Sequence, residues 1–282
     1  MQPAEMKLSQ GNQGPTNLDH VKQRMRATWR AGDFGQIARY SATCAEEFVG
    51  RLQIPVGSKV LDVACGTGNL AIPAARKGAA VWGLDLAPNL LEQARQRAAS
   101  EGLQATFEEG DAEQLPYPDA HFDVVMSMFG AMFAPRPEVA AAELARVCRP
   151  KGVIAMANWT PDGFVAKQFA LGNRYVPPPE GIPAPILWGD PQVVQQRLGA
   201  YASEIRTNRQ TVVFDYSFPP KEVVQFFRKY FGPTQVAFAR LSSDAQAAYE
   251  SDLESHWREN NEEGGGRTLV RAEYLEVIAT RA

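Results

Sequence analysis

The chain has 282 residues, 45% hydrophobic and 22% charged, which is the balance of an ordinary globular protein long enough to bury a large core. Its net charge of -3, with no Lys/Arg cluster resembling a phosphate-tracking stripe, offers no electrostatic case for a nucleic-acid partner. Cys44, Cys65 and Cys148 are widely separated and lack metal spacing, no apolar run approaches a membrane span, and no signal-peptide core opens the chain; reduced thiols, no metal, no membrane and a cytoplasmic location are therefore expected.

Residues 1–15, rich in Gln, Gly, Pro and Ser, read as a flexible tail. Helical spacing then places Val21, Met25 and Trp29 on one face until Gly32-Asp33 ends the run. A second helix is expected from Phe34 to Leu52, with Ile37, Tyr40, Cys44, Phe48 and Val49 as its apolar side. From Ser58 to Trp159 strands and helices alternate as a doubly wound parallel sheet requires. The strands fall near 59–63, 80–84, 105–108, 122–127 and 152–159, the helices near 69–77, 88–100 and 137–148.

Beyond Trp159 the pattern changes. A short helix over Gly163 to Asn173 leads into the proline-rich stretch from Val176 to Pro185, which reads as a stiff connector. Asp190-Pro191 supplies the cap and first-turn proline of a helix ending near Leu198. Ile205 to Tyr216 reads as a strand, followed by helices near 220–231 and 242–260 and the turn Gly264-Gly265-Gly266. Leu269 to Thr280 alternates, and is expected to pair with the preceding strand as the antiparallel edge of a seven-stranded α/β sheet.

The chemistry concentrates in Lys59 to Ala75, KVLDVACGTGNLAIPAA, a strand, a glycine turn and a helix start. Gly66 and Gly68 remove the Cβ atoms that would hold a ligand off the backbone, and the helix start favours a polar or anionic group. Asp62 lies inside the first strand, and Asp85 ends the second, where an acid can accept both hydroxyls of a ribose. Asp111, after the third strand, could accept from an adenine amino group. A nucleoside ligand follows.

Four segments, VLDVACGTG from Val60, GLDLAPNLLEQAR from Gly83, GDAEQLPYPDAHFDVVMS from Gly110 and ELARVCRPKGVIAMANW from Glu143, carry a resemblance to class I S-adenosylmethionine-dependent methyltransferases, in the broad branch that includes the ubiquinone/menaquinone-biosynthesis type. The resemblance implies a Rossmann-like fold with a helical cap and S-adenosylmethionine as cofactor. It implies that Asp62 and the backbone around Ala64, Gly66 and Gly68 hold the methionine end. Asp85 would take the ribose, Leu86 pack on the adenine, Asp111 and Ala112 read its edge, and Ser127 lie near the amino-acid portion.

On this reading 16–282 form one domain: cap helices over 16–55, a cofactor core over 56–160, acceptor-roofing insertions at 161–200 and 217–262, and edge strands at 201–216 and 267–282. Because helices before the first strand cover the site in this family, His20, Trp29, Asp33 and Tyr40 become pocket candidates, with His20 and Tyr40 the candidate general bases. The run Met126 to Phe133 and the end Asn158-Trp159 suggest a pocket for a flat or greasy acceptor, with Phe129, Met132, Phe133 and Trp159 beside Trp29 and Tyr40. The expected partner is a small acceptor molecule; association with a second copy stays open. His121 falls at the wrong end of its strand for chemistry, and His256 and Trp257 read as packing residues.

Two alternatives share the physics. A nicotinamide oxidoreductase also wants a glycine loop and a ribose acid, but Ala71 holds the third glycine position and Asp62 would repel a pyrophosphate. A non-catalytic S-adenosylmethionine-binding protein would keep the same loop residues.

Overall fold

The computed structural model describes residues 17–264 and 266–282, so the expected tail over 1–15 and the middle of the glycine turn lie outside the described residues. Val60, Leu61 and Val63 of β1 (Lys59–Val63) are fully buried, as a central parallel strand covered on both faces demands. β1 pairs in parallel with β2 (Ala80–Asp85) and β4 (Phe122–Met128), β2 with β3 (Ala105–Glu109), and β4 with β5 (Cys148–Trp159). β7 (Thr268–Arg281) runs antiparallel between β5 and β6 (Ala202–Tyr216), giving the seven-stranded order β3-β2-β1-β4-β5-β7-β6. The expected pairing of the last two strands is present, with the antiparallel strand one place in from the edge.

Register sets the site. Val63 lies opposite Leu84, so Asp85 projects one residue past the end of β1, and the loops after β1 to β4 gather on one carboxyl rim. Helices α4 (Ala71–Arg76), α5 (Pro88–Ser100) and α6 (Pro137–Val147) connect these strands. β5 begins four residues earlier than the sequence pattern suggests. The turn around Lys151, with φ 63°, loops out as a bulge while Phe122 already pairs with Cys148.

Ahead of the sheet, α1 (Asn17–Arg30) is followed by α2 (Phe34–Ala38), a tight turn, and α3 (Ala42–Arg51) where one helix was expected. The Ser41 hydroxyl donates to Ala38 O at 2.9 Å, a local bond that competes with continuing the helix. Asp33 caps α2, accepting from Gly35 N at 3.1 Å.

After β5 come α7 (Phe164–Tyr175), a short turn of helix at Pro185–Gly189 that begins where the expected connector ends, and α8 (Pro191–Leu198), capped by Asp190. α9 (Pro220–Tyr230), α10 (Gly232–Ala239) and α11 (Ser243–Glu259) fill the segment between β6 and β7. α10 was not anticipated. Gly232 lets its first turn press on the backbone of Thr28 in α1 and of Ala31 just beyond it. Trp257, Tyr216 and Phe227 form the aromatic centre under this cap. Among the described residues no helix is long and apolar enough to cross a membrane.

Candidate functional site

The turn after β1 takes Ala64 to φ 56°, Gly66 to φ 53° and Gly68 to φ 82°, three left-handed residues in five positions. Cys65 N donates to Leu84 O at 3.0 Å and ties the turn to β2. A Cβ at Gly66 would stand in the gap facing the Phe34 ring, 3.9 Å from its nearest atoms, so the glycine keeps that space open. Gly68 faces the other way. Its Cβ would meet Ile72 at 3.3 Å and Ala94 at 3.5 Å, under the loop.

Two carboxylates flank the turn. Asp85 is buried, accepting Gly66 N through Oδ2 and Ala87 N through Oδ1, both at 2.8 Å. Burial pushes its carboxyl up, and the bonds from Ala87 and Gly66 pull the other way. Asp62 is buried more deeply and accepts only Ala71 N, at 3.0 Å. Burial drives it well above the usual carboxylate range; the Ala71 bond opposes that and the neighbouring Asp85 charge adds to it. Neither acid is in an ion pair with a cationic side chain among the described residues. Such a pair suits a ligand that brings hydroxyl or ammonium donors.

Both acids open onto one cleft. Of the residues expected to bind a cofactor, the structure brings Asp62, Ala64, Gly66, Asp85, Leu86, Asp111 and Ala112 onto its wall. Gly68 and Ser127 are not on it. The Ser127 hydroxyl donates to Val63 O at 2.7 Å and accepts Ala131 N at 2.9 Å, so it pins the loops after β1 and β4 together from beneath.

Much of the rest of the wall is apolar. Met25, Trp29 and Phe34 close it from the α1–α2 side, and Met128, Phe129 and Phe133 from the end of β4. Of the expected acceptor residues, Trp29, Phe129 and Phe133 reach the cleft. Trp159 does not: it lies behind Phe129, stacked at 3.7 Å with rings 4° apart, and backs a residue whose φ is 54°. Met132 is buried in the core.

Neither candidate base, His20 or Tyr40, lines the cleft. α1 turns Lys22, Met25 and Trp29 inward, which leaves His20 exposed on the outer face with Gln23 and Arg24. Tyr40 packs on Tyr216 at 4.2 Å and Phe226 at 5.7 Å, with Arg39 donating to its hydroxyl at 3.2 Å, away from the cleft. Asp33 is occupied by Gly35, Gln36 and Gln93. His121 meets Trp82 and Phe122 edge-on at the amino end of β4. His256 bonds Phe164 O at 3.1 Å and stacks on that ring, and burial lowers its pKa.

Sequence reasoning missed Lys22 and Glu113. Lys22 Nζ lies 2.6 Å from both Asp111 Oδ2 and Glu113 Oε2, and Arg136 Nε reaches the same Glu113 oxygen at 2.7 Å. The spacing Lys22, Met25, Trp29 does put the three on one helical face, which was the available signal.

A strand-loop-strand rim holding two buried acids around a glycine turn defines a nucleoside-binding enzyme fold. A family model described as a methyltransferase domain matches residues 60–152. An uncharacterized protein of Mycobacterium tuberculosis is 39% identical over 231 residues, 81% of this chain and 84% of that one. The demethylmenaquinone methyltransferase of Deinococcus radiodurans is 40% identical over 124 residues, 43% of this chain and 52% of its own. A Bacillus halodurans structure described as a methyltransferase matches in fold with TM-score 0.58 at 18% identity, covering 84% of this chain and 98% of that one.

The chain therefore belongs to the class I S-adenosylmethionine-dependent methyltransferases; it is an enzyme of that class and S-adenosylmethionine is its cofactor. The nicotinamide alternative finds no support in these likenesses.

Proposed function

We propose that this enzyme transfers a methyl group to an O, N, C or S atom of a small, partly apolar acceptor in the cytoplasm. The observation that carries the reading is the two-sided cleft, acids and glycine backbone on one side, thioether and aromatic side chains on the other. Asp85 would accept the ribose hydroxyls, and Asp62 with the backbone of Ala64 and Gly66 would hold the ammonium end. Leu86 would pack on the adenine, with Asp111 and Ala112 along its edge. A deeply buried acid with no cationic partner gains from an ammonium group, whereas it would repel the pyrophosphate of a nicotinamide cofactor.

When bound, S-adenosylmethionine supplies a sulfonium methyl that an acceptor atom can displace in line. The chain's own part is to align the acceptor and keep water out, and Met25, Trp29, Phe34, Phe129 and Phe133 suit that task. The segments 161–200 and 217–262 would roof the acceptor. Among the described residues, the titratable side chains on the wall are Lys22, Asp62, Cys65, Asp85 and Asp111, all on the cofactor side. Burial also pushes the Cys65 thiol well up, so it is no base. The acceptor then brings its own nucleophile, as a phenolate, thiolate or neutral amine does.

Isothermal titration with S-adenosylmethionine, S-adenosylhomocysteine and NADH tests the site. Binding of the first two alone supports it and licenses a screen of phenols, quinols, thiols and amines; binding of NADH alone overturns it. In turnover, the pH midpoint should follow the pKa of the acceptor. A midpoint fixed across acceptors of different pKa would point to a protein base instead.

A further inference from the structure

Lys22 ties α1 to the loop beyond β3 on the cleft wall, joining residues 89 positions apart. Its ammonium sits between two carboxylates, 2.6 Å from each, one of which, Glu113, has a fully buried side chain. Arg136 holds that same Glu113 through both its backbone N–H and its guanidinium, and Asp111 Oδ1 accepts Glu113 N at 2.9 Å. Asp111 is thus held from two sides, with Lys22 as its only side-chain partner among the described residues.

The two ends of α1 are attached differently. Its last turn is pinned by Trp29, whose ring meets Phe34, Phe133 and Phe231 edge-on at 5.2–6.0 Å, and by Asp33 N donating to Tyr230 O at 3.0 Å just beyond. The first half carries buried Val21 and Lys22, and in the second half Arg26 pairs with Glu109 at 3.4 Å, exposed on both sides. An exposed pair of that kind contributes little. A cation shared with a desolvated carboxylate is costly to part.

We propose that Lys22 is a positioning residue that clamps the first half of α1 across the adenine end of the cleft and so sets the rate at which the cofactor product leaves. The proposal rests on the cofactor site described above. S-adenosylhomocysteine under α1 enters and leaves only while the Lys22 pair with Asp111 and Glu113 is open, and that pair is already formed in the free protein. Loss of the clamp therefore speeds both steps, and release is the one that limits departure of the product.

The test is stopped-flow tryptophan fluorescence on the full chain, with S-adenosylhomocysteine as probe and Trp29, on the same face of α1, as reporter. Lys22→Met should release the probe about tenfold faster or more, with association quickened as well. Lys22→Arg should restore slow release, and Arg26→Ala should behave as the unaltered protein does. Equal release from Lys22→Met and the unaltered protein overturns the clamp, as does an affinity loss carried wholly by association. Equal acceleration in Arg26→Ala also overturns it, by showing that any loosening of α1 suffices. Should Lys22→Met fail to fold, Lys22→Gln carries the same comparison. Failure of the unaltered protein to bind the probe at all would remove the cofactor site itself, a result distinct from normal binding with unclamped release.

Discussion

Asp85→Asn separates binding from folding because the carboxylate does two jobs. In the unliganded protein it accepts Gly66 N and Ala87 N at 2.8 Å each, and an amide can serve only one of them. A buried donor left facing an NH2 group costs about 1–3 kcal/mol. Against this, the substitution removes a charge whose burial already pushes the carboxyl up, so the two effects oppose one another. The unliganded unfolding temperature should therefore move little.

Binding has no such compensation. Each ribose hydroxyl bonded to a charged acceptor is worth about 1.5–3 kcal/mol, so losing one acceptor oxygen and the charge should weaken S-adenosylhomocysteine by roughly 10- to 150-fold. Titration calorimetry and a thermal melt on the same samples read both quantities. A folded Asp85→Asn protein that binds within about threefold of the unaltered one refutes the ribose assignment.

Asp62→Asn should show the converse in stability. Because burial raises the native carboxyl above its ordinary 3.8, the native state holds its proton to higher pH than the unfolded state does, and the cost grows as pH rises through that window. The variant should thus melt higher than the unaltered protein at neutral pH, with the gain fading toward pH about 4; a gain that grows in acid would reverse the sign of the argument. Trp159→Ala removes the ring stacked 3.7 Å behind Phe129 and should cost about 3–5 kcal/mol in chemical denaturation, while S-adenosylhomocysteine affinity holds. Lost affinity would mean that the stack supports the cofactor side. His20→Ala, on the exposed face of α1, and Tyr40→Phe, outside the cleft, should each leave methyl transfer within about twofold; a tenfold fall in either would restore it as a catalytic group.

The cofactor side was readable because its parts are local. β1, the glycine turn and Asp85 announce themselves through apolar runs and short spacings, and backbone geometry does the rest. Gly68 and Ser127 belong to the same motifs yet face away from the cleft, since a motif does not say which way each residue turns. The acceptor side was harder. Tyr40 and Trp29 both look like pocket aromatics on amphipathic helices, but the break at Ser41 rotates Tyr40 onto Tyr216, a neighbour 176 positions away. Lys22 shares a helical face with Met25 and Trp29, but its meaning comes from Glu113 and Arg136, which only the fold delivers. α10 went unanticipated for a similar reason: the close approach at Gly232 has meaning only once α1 is there to press against.

The place of β7 in the sheet carries a consequence for synthesis. β6 leaves the ribosome with the side that will meet β7 unpaired, because β7, its one strand partner among the described residues, lies beyond α9, α10 and α11 in the chain. At about 5–20 residues per second that edge waits for seconds, with Glu204, Arg206 and Arg209 along it as charged guards against a stray strand. The five parallel strands and the loops that hold Asp62, Asp85 and Asp111 are by then already made. The nascent chain thus finishes the half of the cleft that faces the nucleoside first, and Phe231 and α10, against which the end of α1 is braced, arrive only afterwards.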